Sequence, residues 1–212
     1  MEYSFDNNFV KLLGRLETPF VFNHEINGEK IYTSAILVKR TSGVVDRIPI
    51  MARENQIFEL SHDILEKKIF FEGYLVTYMK FDEKVVAVRV KSDIFIKENF
   101  EEDVNYISLG GTIESTPTIR KTLNKSSVCN FLLATRRKYN KKNYINAVAW
   151  GNIADQIFVA SKGTRICIKG RLQSKIKKGF NEYSINIDDD DYEVAIYYLR
   201  WLCIRGEQVG EK

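Results

Sequence analysis

The chain has 212 residues, 44% hydrophobic and 28% charged, with 32 Lys and Arg against 28 Asp and Glu, a length that fits one large or two small domains. It lacks any apolar run near the ~18 residues of a membrane span, and residues 1–6 lack a leader's charged start and apolar middle, so it reads as soluble and cytoplasmic with no membrane partner. Its three cysteines, Cys129, Cys167 and Cys203, show no CxxC or Cys/His spacing, which argues against a disulfide framework or a zinc site and for reduced thiols.

In chain order, short apolar or alternating runs bounded by Gly, Asn, Asp or Lys predict strands near Phe9–Leu16, Ile31–Arg40 and Asp46–Ala52. A helix is expected around Glu54–Glu66, then strands near Ile69–Val76 and Val85–Val90. The acidic stretch Glu98–Asn105 reads as a linker. Strands follow near Tyr106–Ile113, Val128–Arg137 and Asn143–Trp150, a short helix at Asn152–Ser161, and strands near Arg165–Ser174 and Glu182–Ile187. The acidic turn Asp188–Asp191 precedes a last apolar run, Tyr192–Ile204. Clustered carboxylates can hold a divalent cation, but a solvated turn is the simpler reading, and no metal is expected.

The two halves repeat. Residues 14 to 90 overlay residues 111 to 187 at a constant shift of 97: Gly14-Arg15-Leu16-Glu17 on Gly111-Thr112-Ile113-Glu114, Gly73-Tyr74-Leu75 on Gly170-Arg171-Leu172, and Val86–Val90 on Tyr183–Ile187. That period exceeds the roughly 20–50 residues of a solenoid repeat and matches a small domain duplicated in tandem. Five strands with a helix between the third and fourth is the layout of the OB-fold, a five-stranded Greek-key barrel whose face and loops bind oligonucleotides. The expected fold class is all-β with short helices, two tandem OB-fold domains at residues 1–100 and 101–212.

Charge separates the copies. Between Ser115 and Asn181 there are fifteen Lys and Arg and one acid, Asp155, while the rest of the chain carries seventeen basic and twenty-seven acidic residues. A basic field beside an acidic remainder marks a polyanion-binding face, the alternative being a solvated surface whose charges happen to cluster.

Three motifs in the second copy go further. Asn130-Phe131-Leu132-Leu133-Ala134-Thr135, Trp150-Gly151-Asn152-Ile153-Ala154-Asp155, and Lys162-Gly163 followed by Gly170-Arg171-Leu172-Gln173-Ser174 stand in order over Ser108–Ile187. They resemble the second strand, helix entry and fourth strand of bacterial single-stranded DNA-binding proteins. In the first copy, Phe71-Glu72-Gly73-Tyr74-Leu75 is the one echo. The resemblance implies stacking of bases on Tyr139, Tyr144 and Trp150, and phosphate contacts from Arg136, Arg137, Lys138, Lys141, Lys142, Asn146, Arg171, Lys175, Lys177 and Lys178. Tyr144, Asn146, Val148 and Trp150 share a strand face by period two. Trp150 has the alternative of a core ring, and Tyr144 that of packing on a neighbouring subunit. Lys177 stands where the family often has a fourth aromatic, a stacking contact exchanged for an ionic one.

In the first copy Ser42, Arg47 and Arg53 replace the three rings, and residues 1–104 hold fourteen basic and eighteen acidic residues. Only weaker contacts are expected there, from Lys39, Arg40, Arg47, Arg53, Tyr78 and Lys80. No catalytic constellation is present: His24 and His62 stand apart from any nucleophile pattern, and there is no Walker A loop, zinc-ligand spacing or GxSxG. The expectation is a non-enzymatic, cofactor-free protein that coats and protects single-stranded DNA, cytoplasmic and nucleoid-associated. The resemblance implies a homodimer presenting four OB-folds. Recruitment of replication or repair proteins would need a route other than the family's acidic tail, whose tip is not seen at Glu207–Lys212. The competing readings are a primosome-like accessory that bridges replication proteins, and an RNA binder.

Overall fold

The computed structural model describes residues 8–58, 60, 64–65, 67–80, 83–97, 99–137, 141–175 and 191–201. Among them the chain forms two compact units, one of Asn8–Ile107 with Gly170–Ala195, the other of Ser108–Lys169 with residues 196–201.

The first repeat contains β1 (Asn8–Leu16), β2 (Val21–Ile26), β3 (Glu29–Lys39), β4 (Val45–Arg53), α1 (Glu54–Ile57), β5 (Lys68–Lys80), β6 (Glu83–Val90) and the two-residue β7 (Phe95–Ile96). Strands run in the order β2-β3-β4-β6-β5-β1, and β1 returns to pair with β3, closing a barrel of β1, β3, β4, β5 and β6. The β4–β6 pair is parallel, at Ile50↔Val88, which gives the Greek-key path. Leu12, Leu16, Ile36, Ile48, Ile50, Ile69, Phe71, Leu75 and Val88 fill the interior without exposure. The β2–β3 hairpin turns on Asn27-Gly28, both at positive φ (53° and 79°), the backbone that an Asn-Gly pair accepts at least cost.

The second repeat contains β8 (Val104–Ile113), β9 (Thr118–Lys121), β10 (Ser127–Arg136), β11 (Lys142–Trp150), α2 (Gly151–Phe158), β12 (Arg165–Lys175) and β13 (Asp191–Trp201). Here β13 lies between β12 and β11, and β10 lies between β11 and β9 while also pairing with β8. Its core includes Leu109, Ile113, Leu133, Ile145, Ala154, Ile157, Ile166 and Ile168. The all-β, twin OB-fold expectation is thus the observed architecture, with the added β2 and β9 hairpin strands that periodicity left unassigned.

The period of 97 is written into close packing. A Cβ on Gly14 would collide with the carbonyl oxygen of Leu37, and one on Gly111 would lie 2.7 Å from that of Ala134, the residue 97 further on. Likewise the Asn8 side chain bonds both backbone groups of Leu75, and Asn105 does so with Leu172.

At the last strand the shift breaks. A Cβ on Gly73 would meet the carbonyl of Arg89, but one on Gly170 meets that of Ala195, 106 rather than 97 positions later. The structural partners of Val88 and Arg89 are therefore Val194 and Ala195, not residues of the 183–187 segment, and nine additional residues separate β12 from β13. The expected strand Glu182–Ile187 and the turn Asp188–Asp190 lie outside the described residues. The closing strand is the apolar run predicted at Tyr192–Ile204.

The helix expected at Glu54–Glu66 is one turn, Glu54–Ile57, with no buried residue, whereas α2 buries Ala154 and Ile157. A short helix needs an apolar face on the sheet to survive, and α1 has none. Glu98–Asn105, expected as a free linker, is tied down in part. Asp103 accepts the Lys39 N–H at 2.7 Å and pairs with Lys68 Nζ at 2.8 Å, and Lys68 also donates to the carbonyls of Phe100 and Glu101.

Candidate nucleic-acid interface

Strand β11 sorts its side chains by period two. Asn143, Ile145, Ala147 and Ala149 point inward and are buried, while Lys142, Tyr144, Asn146 and Trp150 lie on the other face, where Val148 alone is buried. Both rings are 39% exposed, so Trp150 is not a core residue. Six residues apart on one strand, they lie about 20 Å from each other and would meet different bases.

Register extends this face across three strands. Trp150 pairs with Val128, which pairs with Arg120 on β9; Tyr144 pairs with Ala134, and Lys142 with Arg136. Cross-strand partners share a face, so exposed Arg120 stands two strands from Trp150, a cation the motif comparison passed over because β9 was not anticipated. Arg137 and Lys141 are exposed at the neck of the β10–β11 hairpin, closed by the Arg137 N–H donating to the Lys141 carbonyl at 2.7 Å. Lys142 Nζ lies 3.1 Å from Glu114, an exposed pair that solvent weakens. Asp155, the single acid of the basic stretch, accepts the Ser127 hydroxyl at 2.6 Å at the foot of α2.

Lys138, Tyr139, Lys177 and Lys178 lie outside the described residues. Lys175 ends β12 and Lys80 ends β5. Arg171 is not a solvent-facing cation. It is part-buried, its Nη2 reaches Gln173 Oε1 at 3.4 Å, and its buried Nε has no hydrogen-bond partner. Burial lowers its affinity for the proton, and the Arg40 charge lowers it further against the pull of Asp46. The phosphate contact expected of Arg171 therefore falls where its face of β12 is partly covered.

The first repeat spends its cations on its own acids. Arg40 grips the fully buried Asp46 through Nε and Nη2, Arg47 Nε lies 2.6 Å from Glu17, and Arg53 Nε lies 3.1 Å from Glu29. The bond to Asp46 holds the Arg40 guanidinium protonated more firmly than usual. Lys39 remains an exposed strand end. Tyr78, offered as an alternative ring, packs with Tyr74 on a buried outer cluster of Ile31, Met51, Val76 and Ala87, and burial pushes its phenol up.

Shifted by 97, these positions show paired exchanges. Arg53 and Glu29 become Trp150 and Ser126; Arg47 becomes Tyr144; Asp46 becomes Asn143. At Trp150 the second repeat has lost the acid and gained a ring, and at Tyr144 it has gained a ring while the acid of that pair, Glu17, is kept as Glu114. Such a surface combines cations for phosphates with flat faces for bases, which is what single-stranded nucleic acid requires.

Comparison with known proteins agrees. Residues 104–195 match the profile of the Single-strand binding protein family. The chain is 25% identical over 115 residues to the single-stranded DNA-binding protein of Oceanobacillus iheyensis, covering 51% of this chain and 69% of that one. It is 27% identical over 106 residues to that of Paenarthrobacter aurescens, covering 43% and 62%. The crystal structure of the wild-type single-stranded DNA binding protein from Thermus aquaticus superposes with a TM-score of 0.73, covering 96% of this chain and 97% of that one at 22% identity, a likeness of fold. Among the described residues no helix is long and apolar enough to cross a membrane.

Proposed function

We propose, from the match of residues 104–195 to the Single-strand binding protein family, that the chain binds single-stranded DNA without sequence preference and coats and protects exposed strands during replication, recombination or repair. The observation that carries this is the outer face of β10 and β11: two half-exposed rings beside the exposed Arg136, Arg137 and Lys142, at positions where the first repeat has the ion-paired Arg47 and Arg53. Bases stack on Tyr144 and Trp150, with Tyr139 as a third ring. Arg136, Arg137, Lys138, Lys141, Lys142, Asn146, Lys175, Lys177 and Lys178 follow the backbone. Stacking accepts any base because each has a flat face, and phosphate neutralisation ignores sequence altogether.

The binding is non-covalent and non-enzymatic. The two repeats act as two domains, at residues 1–100 and 101–212, the first contributing structure and only weak contacts, because Arg40, Arg47 and Arg53 are already paired. Family resemblance supports a homodimer with four OB-folds, working in the cytoplasm on the nucleoid.

Titration of a labelled oligothymidine of about 35 nucleotides tests this, with the matching duplex and a uridine oligoribonucleotide as controls. Tight, single-strand-selective binding that quenches tryptophan emission and weakens as salt rises is expected. Equal, weak binding to single strand and duplex would reduce the basic face to non-specific attraction.

A further inference from the structure

We propose that the strand-binding path continues from β11 across β13 onto β12, with Tyr198 as an added stacking ring and Lys169 and Arg200 as its phosphate contacts. This deepens the binding role proposed above and rests on it. β13 changes character along its length. Tyr192–Ile196 are all buried, whereas Tyr197, Tyr198 and Trp201 are 54%, 44% and 39% exposed. A strand that only closed a barrel would have no reason to show three large rings to water within five residues, and exposed aromatic clusters mark binding surfaces.

Tyr198 and Arg200 lie against the side chains of β12 that alternate with its core residues. Ile166 and Ile168 of β12 point into the core with no exposure, so Cys167 and Lys169 between and beyond them point outward. The Lys169 ammonium sits 5.0 Å from the Tyr198 ring centroid. The Arg200 charge acts on the Cys167 thiol, opposing the upward push of burial. β13 is the neighbour of β11 in the strand order, so this surface continues the one bearing Tyr144 and Trp150.

The chemistry selects the occupant. Residues 165–169 and 196–201 contain Arg165, Lys169 and Arg200 and no acid, which suits a polyanion. Rings beside cations suit a strand whose bases are unpaired, since duplex DNA keeps its base faces stacked on one another. With the ammonium on one face of Tyr198, a base takes the other, and Lys169 is within reach of its phosphate.

The test joins crosslinking to titration on the full chain. An oligothymidine carrying 5-iodouridine should crosslink, in the wild type, to a peptide containing Tyr198. Tyr198→Ala should weaken binding to the ~35-nucleotide oligomer by roughly five- to tenfold with an unchanged thermal midpoint, and Tyr198→Phe should bind as wild type. Lys169→Gln should lower the magnitude of the log–log salt slope by about 0.7. If Tyr198→Ala binds normally and no crosslink maps to β13, while Trp150→Ala binds weakly, the path ends at β11 and the proposed function stands. A wild-type chain that fails to bind single strands sinks both. Should Tyr198→Ala not fold, the wild-type crosslink decides.

Discussion

Trp150 and Arg53 occupy one register position in two copies of the same strand, each opposite a valine or isoleucine on the neighbouring strand (Val128 and Ile31). Their environments explain their chemistry. Arg53 has Glu29 within 3.1 Å, so its charge is spent locally, whereas the position equivalent to Glu29 is Ser126 and leaves the Trp150 ring open. Replacing both Tyr144 and Trp150 by alanine should lower single-strand affinity at least tenfold, since each base–ring contact is worth roughly 1–3 kcal/mol. Denaturant titration of the same variant should show wild-type stability, because neither ring fills the core; normal DNA binding by it would remove the stacking model. Cysteine reactivity gives a second check at this scale. Burial holds the Cys129 and Cys167 thiols above their ordinary proton affinity, so little thiolate forms near neutral pH. Iodoacetamide labelling followed by mass spectrometry should find both slow in the native protein and fast after unfolding.

At the scale of elements, strand periodicity identified nearly every long strand, because alternation of buried and exposed residues is a local property. The hairpin strands β2 and β9 escaped it. β2 exposes Val21, Phe22 and Ile26 and has no inward face for a pattern to report. The helix after β4 was over-extended because sequence shows apolar residues without showing whether a sheet lies beneath them. Glycine spacing was the better guide at Gly14, Gly73, Gly111 and Gly170, each placed where a neighbouring strand's carbonyl occupies the space of a Cβ. Gly170→Ala would drive a methyl into the Ala195 carbonyl and should cost about 1–3 kcal/mol, read as a lowered urea midpoint at unchanged slope.

At the scale of the molecule, the first repeat has a clear physical part to play. Its Asp46, fully buried, accepts from both Arg40 nitrogens and from the Ser174 N–H of β12 at 3.1 Å, all within one compact unit. Beside it Gln173 donates to the buried Glu193 at 2.7 Å. This polar cluster ties the first repeat to the end of β12, next to Lys175. Asp46→Ala would leave the Arg40 guanidinium, about one-fifth exposed, without its counter-charge, and should cost about 2–3 kcal/mol in urea unfolding, below the full penalty of a wholly buried pair. Sequence by itself determined the duplication, the OB-fold, the concentration of charge in the second copy and the shared strand face of Tyr144 and Trp150, because strand alternation, glycine placement and residue type are local. Only the tertiary structure decided which cations face solvent. Arg171 and Arg40 lie in a cluster built from residues as far apart as Asp46 and Glu193, and the nine-residue break in the repeat shifts β13, and with it Tyr198, away from where the period would put them. Burial and long-range pairing depend on what the fold brings next to each side chain, and no local pattern records that.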